Sequence, residues 1–234
     1  TTTEPRRRQN QQPANRLLQS MLPATIIEKL KNGEPVMAEM YNPVTVLFAE
    51  LCNFSDICAV VSPQEIVWIL NEVFTKWDEI TDLHSVHKVE TVGEVYMAVA
   101  GCPIRVSNHA QLAACCALDI IATMAKIRDR VREELTDEDR QSICDLKDHD
   151  TPTLDAHVGL NTGRINAGVV GTNNPRFKLF GDTVNMASRM ESTCPHGCVQ
   201  ISAATERCIK EHFVLKDRGL VQIKGKGEQH TYFL

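Results

Sequence analysis

The stretch VTVLFAELCNFSDI, residues 44–57, decides the fold of this 234-residue chain. Its first eight residues are predominantly apolar and predict a buried strand that ends at Glu50 and Leu51. An unpaired carboxylate at the end of such a strand is costly, so Glu50 is a candidate functional residue. The following Ser62-Pro63-Gln64-Glu65 is a capping box with proline at the first helical position, and it predicts the start of a long helix.

Farther along the chain, strands and helices mix without strict alternation. A tight turn at 91–94 is expected to join two strands, and Thr162-Gly163 is expected to be the turn between two later ones. The predicted strands are 44–51, 86–90, 95–100, 154–161, 165–170, 177–180, 213–216, 221–224 and 231–234, and the helices follow Ser62, Asn108, Gly181 and Ser202. This mixture predicts an α+β fold with helices on one face of a largely antiparallel sheet.

Two segments precede this domain. Residues 1–15 are polar, include Arg6–Arg8, and predict a flexible tail. Residues 16–34 carry apolar side chains at helical spacing and end at Asn32-Gly33, so they predict a helical connector. The connector either mediates dimerisation or packs on the core. The folded domain is then expected to span 35–234.

The amino-acid composition limits the classes of protein to which the chain can belong. With 43% hydrophobic residues and a net charge of -5, the chain is expected to be a soluble globular protein that binds no nucleic acid. No apolar run approaches the length of a membrane span, so a membrane is expected to be reached only through segments outside this fragment. The nine cysteines, an odd number without a CxxC pair, predict reduced core residues in the cytoplasm. The eight histidines show no metal-ligand spacing.

Three more stretches accompany residues 44–57. They are HKVETVGEVYMAVAG (87–101), PRFKLFGDTVNMASRMEST (175–193) and IKGKGEQHTYFL (223–234). In this order, the four stretches resemble the class III adenylate and guanylate cyclase catalytic domain, and the pattern is closest to eukaryotic guanylate cyclases. The resemblance implies a ferredoxin-like βαββαβ core with extra elements over 35–234. It also implies a head-to-tail dimer, cytoplasmic or in the cytosolic part of a membrane receptor, with each active site at the interface.

Two glutamates are candidate metal ligands. Glu50 ends a strand and Glu94 lies in a hairpin turn, and two converging carboxylates would repel unless a cation lay between them. From spacing alone, an ordinary strand end and an ordinary turn explain them equally well. The resemblance implies that Glu50, Glu94 and the backbone carbonyl of Leu51 hold two Mg²⁺ or Mn²⁺ ions. The family mostly uses aspartate at both positions, so homodimer and heterodimer remain open as the active form.

Two residues are candidates for transition-state stabilisation. Asn185 and Arg189 are four apart in a predicted helix and therefore share one face. The guanidinium offers planar, charge-assisted donors to phosphate oxygens. The resemblance implies that these two residues are catalytic and that Lys224 contacts the nucleotide phosphates. A solvated helix face and a surface turn are the alternatives.

Base choice is expected to rest on Glu90 and Lys178. Glu90 falls where the resemblance places the glutamate of guanylate cyclases, which accepts from guanine N1–H and the 2-amino group. Lys178 fits neither the cysteine typical of GTP enzymes nor the aspartate typical of ATP enzymes. It either donates to guanine O6 or forms a salt bridge with Glu90 that blocks the pocket.

The predicted function is conversion of GTP to cyclic GMP and pyrophosphate at a dimer interface, for intracellular signalling. One alternative is a weakly active or non-catalytic subunit of a heterodimeric cyclase. Another is an adenylate cyclase that uses ATP, and a third is a regulatory module that holds a nucleotide without turnover.

Overall fold

The computed structural model of the chain describes residues 22–34, 37–138, 154–171 and 175–234. The elements within these ranges follow one another as α1 (Ala24–Lys31), β1 (Glu39–Cys52), α2 (Phe54–Cys58), α3 (Pro63–Leu83), β2 (His87–Val92), β3 (Val95–Ala100), α4 (His109–Glu134), β4 (Asp155–Val170), β5 (Arg176–Phe180), α5 (Asp182–Ser192), β6 (Val199–Ser202), α6 (Ala203–Ile209), β7 (Lys216–Ile223) and β8 (Gly227–Phe233). The predicted tail 1–15 and the first part of the connector lie outside the described residues.

The elements β1-α3-β2-β3-α4-β4 form the predicted ferredoxin-like core. Their strands lie in the order β2-β3-β1-β4, and each adjacent pair is antiparallel. The sheet continues through β6, β8 and β7, while β5 pairs with β4. Only the β4–β6 pairing is parallel within the described sheet. The predicted α+β class is therefore confirmed.

Helices α3 and α4 cover one face of the sheet. The predicted capping box starts α3, since the Glu65 amide donates to Ser62 Oγ over 3.3 Å and the Ser62 amide donates to Glu65 Oε2 over 2.8 Å. The rings of Trp77 and Tyr96 meet edge to face at 5.7 Å in this core. Within the described residues, α4 is long and apolar enough to cross a membrane, which sequence inspection missed, but its apolar face packs into the core.

The other face of the sheet also carries helices, which corrects the expectation of helices on one face only. Helix α5 crosses β4 and β1 there, and α1 packs beside it. The described part of the connector is thus anchored to the domain, since Leu22, Ile26 and Ile27 are buried with strand residues such as Val44. Buried residues follow one another almost without interruption through the central parts of β1 and β4, so both faces of these strands are covered.

The predicted turn at Thr162-Gly163 is wrong, because β4 runs unbroken from Asp155 to Val170. Thr162 is buried in the sheet, where its hydroxyl lies 2.8 Å from that of Thr45 and 3.0 Å from that of Thr205. Gly163 pairs with Val44 of β1. Tertiary hydrogen bonding at these positions outweighs the local turn preference of a Thr-Gly pair.

Candidate active site

Glu50 lies near the carboxyl end of β1, on the face of the sheet that α5 covers. In the strand register it stands between Val95 of β3 and His157 of β4. Its carboxylate is 3.5 Å from His157 Nε2. Hydrogen bonds with His157 and then with Glu191 hold the pKa of Glu50 well below its usual range, so this carboxylate is ionised at neutral pH.

Glu191, on the helix α5 that covers this face of the sheet, is the third member of a cluster with Glu50 and His157. His157 Nε2 donates to Glu191 Oε1 over 2.7 Å, and the Glu191 side chain is only 5% exposed. Burial raises the pKa of Glu191. Burial opposes a charge on the His157 ring, but its hydrogen bonds with Cys52, Glu191 and Glu50 outweigh that effect and raise its pKa. Sequence reasoning missed both residues, since the β1–β4 register places His157 beside Glu50 and the packing of α5 on the sheet places Glu191 there.

Glu94 reaches the same end of β1 from the other side. It lies in the turn between β2 and β3, as predicted, and its carbonyl accepts a hydrogen bond from the Leu51 amide over 3.3 Å. The backbones of Glu94 and Leu51 therefore meet next to Glu50. Among the described residues, however, the clusters of potential ligand atoms that include Glu50 combine it with His157 and Glu191, not with Glu94.

The predicted transition-state residues lie on α5. Asn185 is exposed, Arg189 is partly buried one turn later, and neither side chain has a bonding partner among the described residues. The turn between β7 and β8, which carries the exposed Lys224, is held against the start of this helix by an ion pair of 2.6 Å between Lys226 and Asp182. The helix start and the lysine turn thus form one exposed region.

Glu90 and Lys178 face each other between β2 and β5. Lys178 Nζ lies 2.5 Å from Glu90 Oε2, and the two side chains are 36% and 29% exposed. A shift in the β2–β3 register between Lys88 and Glu90 accompanies this placement. The salt bridge anticipated as one alternative therefore exists in the free chain.

Comparison with known proteins decides the family. Residues 36–234 match the family described as the Adenylate and Guanylate cyclase catalytic domain. The chain belongs to this family. It is 39% identical over 219 residues to the beta-2 subunit of soluble guanylate cyclase from Rattus norvegicus, a match that covers 93% of this chain and 30% of that subunit. The cyclase domain thus spans less than a third of that relative.

Two solved structures share the cyclase fold at 36% identity. One is the guanylate cyclase domain of RhGC from Catenaria anguillulae in complex with GTP, with a TM-score of 0.70 and coverage of 83% of this chain and 97% of that one. The other is the catalytic core of a rhodopsin-guanylyl cyclase with converted specificity in complex with ATPαS, with a TM-score of 0.70 and coverage of 84% and 96%. These matches confirm the predicted class III cyclase fold.

Cyclase domains of this family use divalent metal ions, and the donors in this chain suit them. Glu50 is ionised, Glu94 offers a second carboxylate, and Leu51 offers a backbone carbonyl at the same end of β1. Oxygen donors of this kind match Mg²⁺ and Mn²⁺. The assignment of these three residues as ligands stays a prediction.

Proposed function

We propose that the chain converts GTP to cyclic GMP and pyrophosphate in a site shared between two cyclase domains. The pairing of Glu90 with Lys178 carries this proposal. A carboxylate accepts from both N1–H and the 2-amino group of guanine, and an adjacent ammonium donates to O6. Adenine presents an acceptor at N1 and a donor at C6, so each of its groups meets the wrong partner. Mismatched buried polar groups are strongly rejected.

The lysine approaches guanine by turning from Glu90 to O6. The salt bridge is partly exposed, so solvent screens it and its rupture costs about 1 kcal/mol or less. Once the salt bridge has opened, guanine replaces it by offering two donors to Glu90 and one acceptor to Lys178. The salt bridge is therefore the resting state of the pocket and does not exclude the base.

The reaction joins the ribose 3′-oxygen to the α-phosphorus while the bond from that phosphorus to the bridging oxygen breaks and pyrophosphate leaves. The proton of the 3′-hydroxyl passes to solvent. Negative charge grows on the phosphate oxygens, and Arg189 is free to donate to them because no carboxylate in the described residues neutralises it. Asn185 holds the ribose, and Lys224 binds the phosphates. When bound, two Mg²⁺ or Mn²⁺ ions at Glu50, Glu94 and the Leu51 carbonyl supply charge neutralisation.

The exposure of Asn185 and Lys224 supports a dimer. The region around them is open in a single chain, as expected if a second cyclase domain covers it. We propose that the partner domain supplies the metal carboxylates facing these residues, in a homodimer or a heterodimer. We also propose a cytoplasmic setting, in line with the eight free cysteines of the described residues.

A second candidate function is that of a weakly active or non-catalytic subunit that contributes its base pocket to another chain's metal carboxylates. One observation favours it. The Glu50 carboxylate is already engaged by His157 and Glu191, so a metal would have to compete for it. In that case the chain alone turns over little substrate, while it still binds GTP.

Product analysis of the purified chain with GTP or ATP, each with Mg²⁺ or Mn²⁺, tests both candidates. We expect cyclic GMP as the main product, and the exchange Glu90→Lys with Lys178→Asp is expected to move preference toward ATP. The matched control exchanges the charges of the exposed Lys76–Glu79 ion pair and should leave base preference unchanged. A wild-type preference for ATP would overturn the assignment of the pocket. GTP binding without product would favour either the partner subunit or the regulatory module that holds a nucleotide without turnover.

A further inference from the structure

Three metal-ligating side chains meet beside Glu50, although they come from distant parts of the sequence. Cys52 ends β1, His157 lies on β4, and His196 lies in the loop between α5 and β6. One potential ligand atom from each lies within 4.8 Å of the other two. Cys52 Sγ is 3.2 Å from His157 Nδ1, and the two imidazole rings stack with centroids 6.0 Å apart. We propose that Cys52, His157 and His196 form a binding site for a thiophilic divalent cation of the Zn²⁺ class.

The distances suit such a cation. Tetrahedral zinc with bonds of about 2.3 Å to sulfur and about 2.0 Å to nitrogen holds these atoms about 3.5 Å apart. The observed 3.2 Å between Cys52 and His157 differs from this by a few tenths of an ångström. A thiolate with two imidazoles selects a soft cation over Mg²⁺. Three protein ligands leave a fourth position for water or an exogenous ligand.

The second ring nitrogen of His157 is already oriented. Its Nε2 donates to the buried Glu191 carboxylate over 2.7 Å. Histidine ligands of metals characteristically donate their other N–H to a carboxylate, which fixes the tautomer and the ring plane. Once the ring is neutral, Nδ1 therefore presents its lone pair to the space it shares with Cys52.

The loop that carries His196 is hydrogen-bonded to β4 and α5, the elements that carry His157 and Glu191. On one side the Gly197 amide donates to the Ala156 carbonyl over 2.9 Å, and on the other the Cys194 amide donates to the Glu191 carbonyl over 2.8 Å. Gly197 has a φ of +69°, which a glycine adopts without strain. The backbone that carries His196 is thus held beside β4, and exposure of His196 leaves an entry path for the ion.

The described residues include a competing cluster that shares His157. Glu50, His157 and Glu191 also lie within ligand distance of one another, and they would offer His157 Nε2 with two carboxylates. That nitrogen is engaged by Glu191, whereas Nδ1 faces a sulfur, so the geometry favours the cysteine-containing cluster. The two clusters differ in a way that spectroscopy distinguishes, because only one contains a thiolate.

Titration of the reduced, metal-free chain with Co²⁺, followed by displacement with Zn²⁺, tests the proposal. We expect a thiolate-to-cobalt charge-transfer band that saturates at one thiolate-bound ion per chain and that Zn²⁺ abolishes. Cys52→Ser should remove the band, and His196→Ala should weaken binding at least about tenfold. Glu191→Gln should weaken it about tenfold to a hundredfold, since the carboxylate that orients a metal-binding histidine contributes on that scale. The controls Cys208→Ser and His212→Ala alter exposed residues away from the cluster and should bind like wild type.

Circular dichroism and urea unfolding of each variant separate loss of the site from loss of the fold. Raised thermal stability of the wild type with Zn²⁺, absent in a folded Cys52→Ser variant, would support the site without reference to activity. A charge-transfer band that persists in Cys52→Ser would overturn the proposal, as would the absence of binding. Binding that survives Cys52→Ser but is lost in Glu50→Gln would assign the ion to the carboxylate cluster instead.

Discussion

Replacement of Gly159 by alanine tests the close contact between β4 and α5. A Cβ atom at this position would lie 2.0 Å from the Glu191 amide nitrogen and 2.5 Å from its Cα. Both are backbone atoms, so no side-chain rotation relieves the overlap. The helix must withdraw by about 1 Å before the contact becomes tolerable, and overpacking of this kind costs about 3 kcal/mol. In a domain of this size each kcal/mol lowers Tm by about 2–4 °C, so we expect a loss of about 6–12 °C.

Thermal and urea unfolding measure this loss, and cyclase activity below the transition measures its functional effect. Withdrawal of α5 moves Glu191 away from His157 and displaces Arg189, so kcat should fall more than KM rises. Gly168→Ala is the matched control, because it lies on the same strand and its Cβ would come no closer than 3.1 Å to Ala38. Equal Tm values for the two variants would refute the argument that β4 needs a glycine at 159.

Arg189→Ala should lower kcat by about 10²–10³ with little change in KM, because the guanidinium acts where charge develops; an effect confined to KM in steady-state assays would contradict this role. The double change Glu50→Asp and Glu94→Asp should raise Mg²⁺-dependent turnover relative to Mn²⁺, because shorter ligands fit the tight Mg²⁺ shell; unchanged metal preference would count against these ligands. Burial lowers the pKa of His87 to about 4. The contribution of this residue to the free energy of unfolding is therefore complete above about pH 6.5, and it is lost as the pH falls and the unfolded chain takes up a proton. Between pH 7 and pH 5 the free energy of unfolding, measured with urea, should therefore fall by about 2 kcal/mol more in the wild type than in His87→Leu.

Local patterns predicted the parts of the fold that local chemistry determines. The apolar run at 44–51 became the end of β1, and the capping box at Ser62 starts α3 as expected. The turn at Thr162-Gly163 failed because cross-strand hydroxyl contacts, invisible in the sequence, extend β4 through it. The partners of Glu50 were missed for a related reason, since His157 is brought opposite by a strand register that spacing along the chain does not encode.

Glu90 and Lys178 face each other from two strands, β2 and β5, that lie outside the centre of the sheet. Within the described sheet β2 is an edge strand, and β5 branches from the main strand order to pair with β4. Neither side chain is buried in the main core, so exchanging them changes few contacts that hold the domain together. If these two residues select the base, as proposed, substrate choice is separable from the packing that holds the domain together. A rhodopsin-guanylyl cyclase core of the same fold exists with converted specificity, in complex with ATPαS. Under the proposed role of Lys178, a change of base preference in this chain would leave its core packing intact.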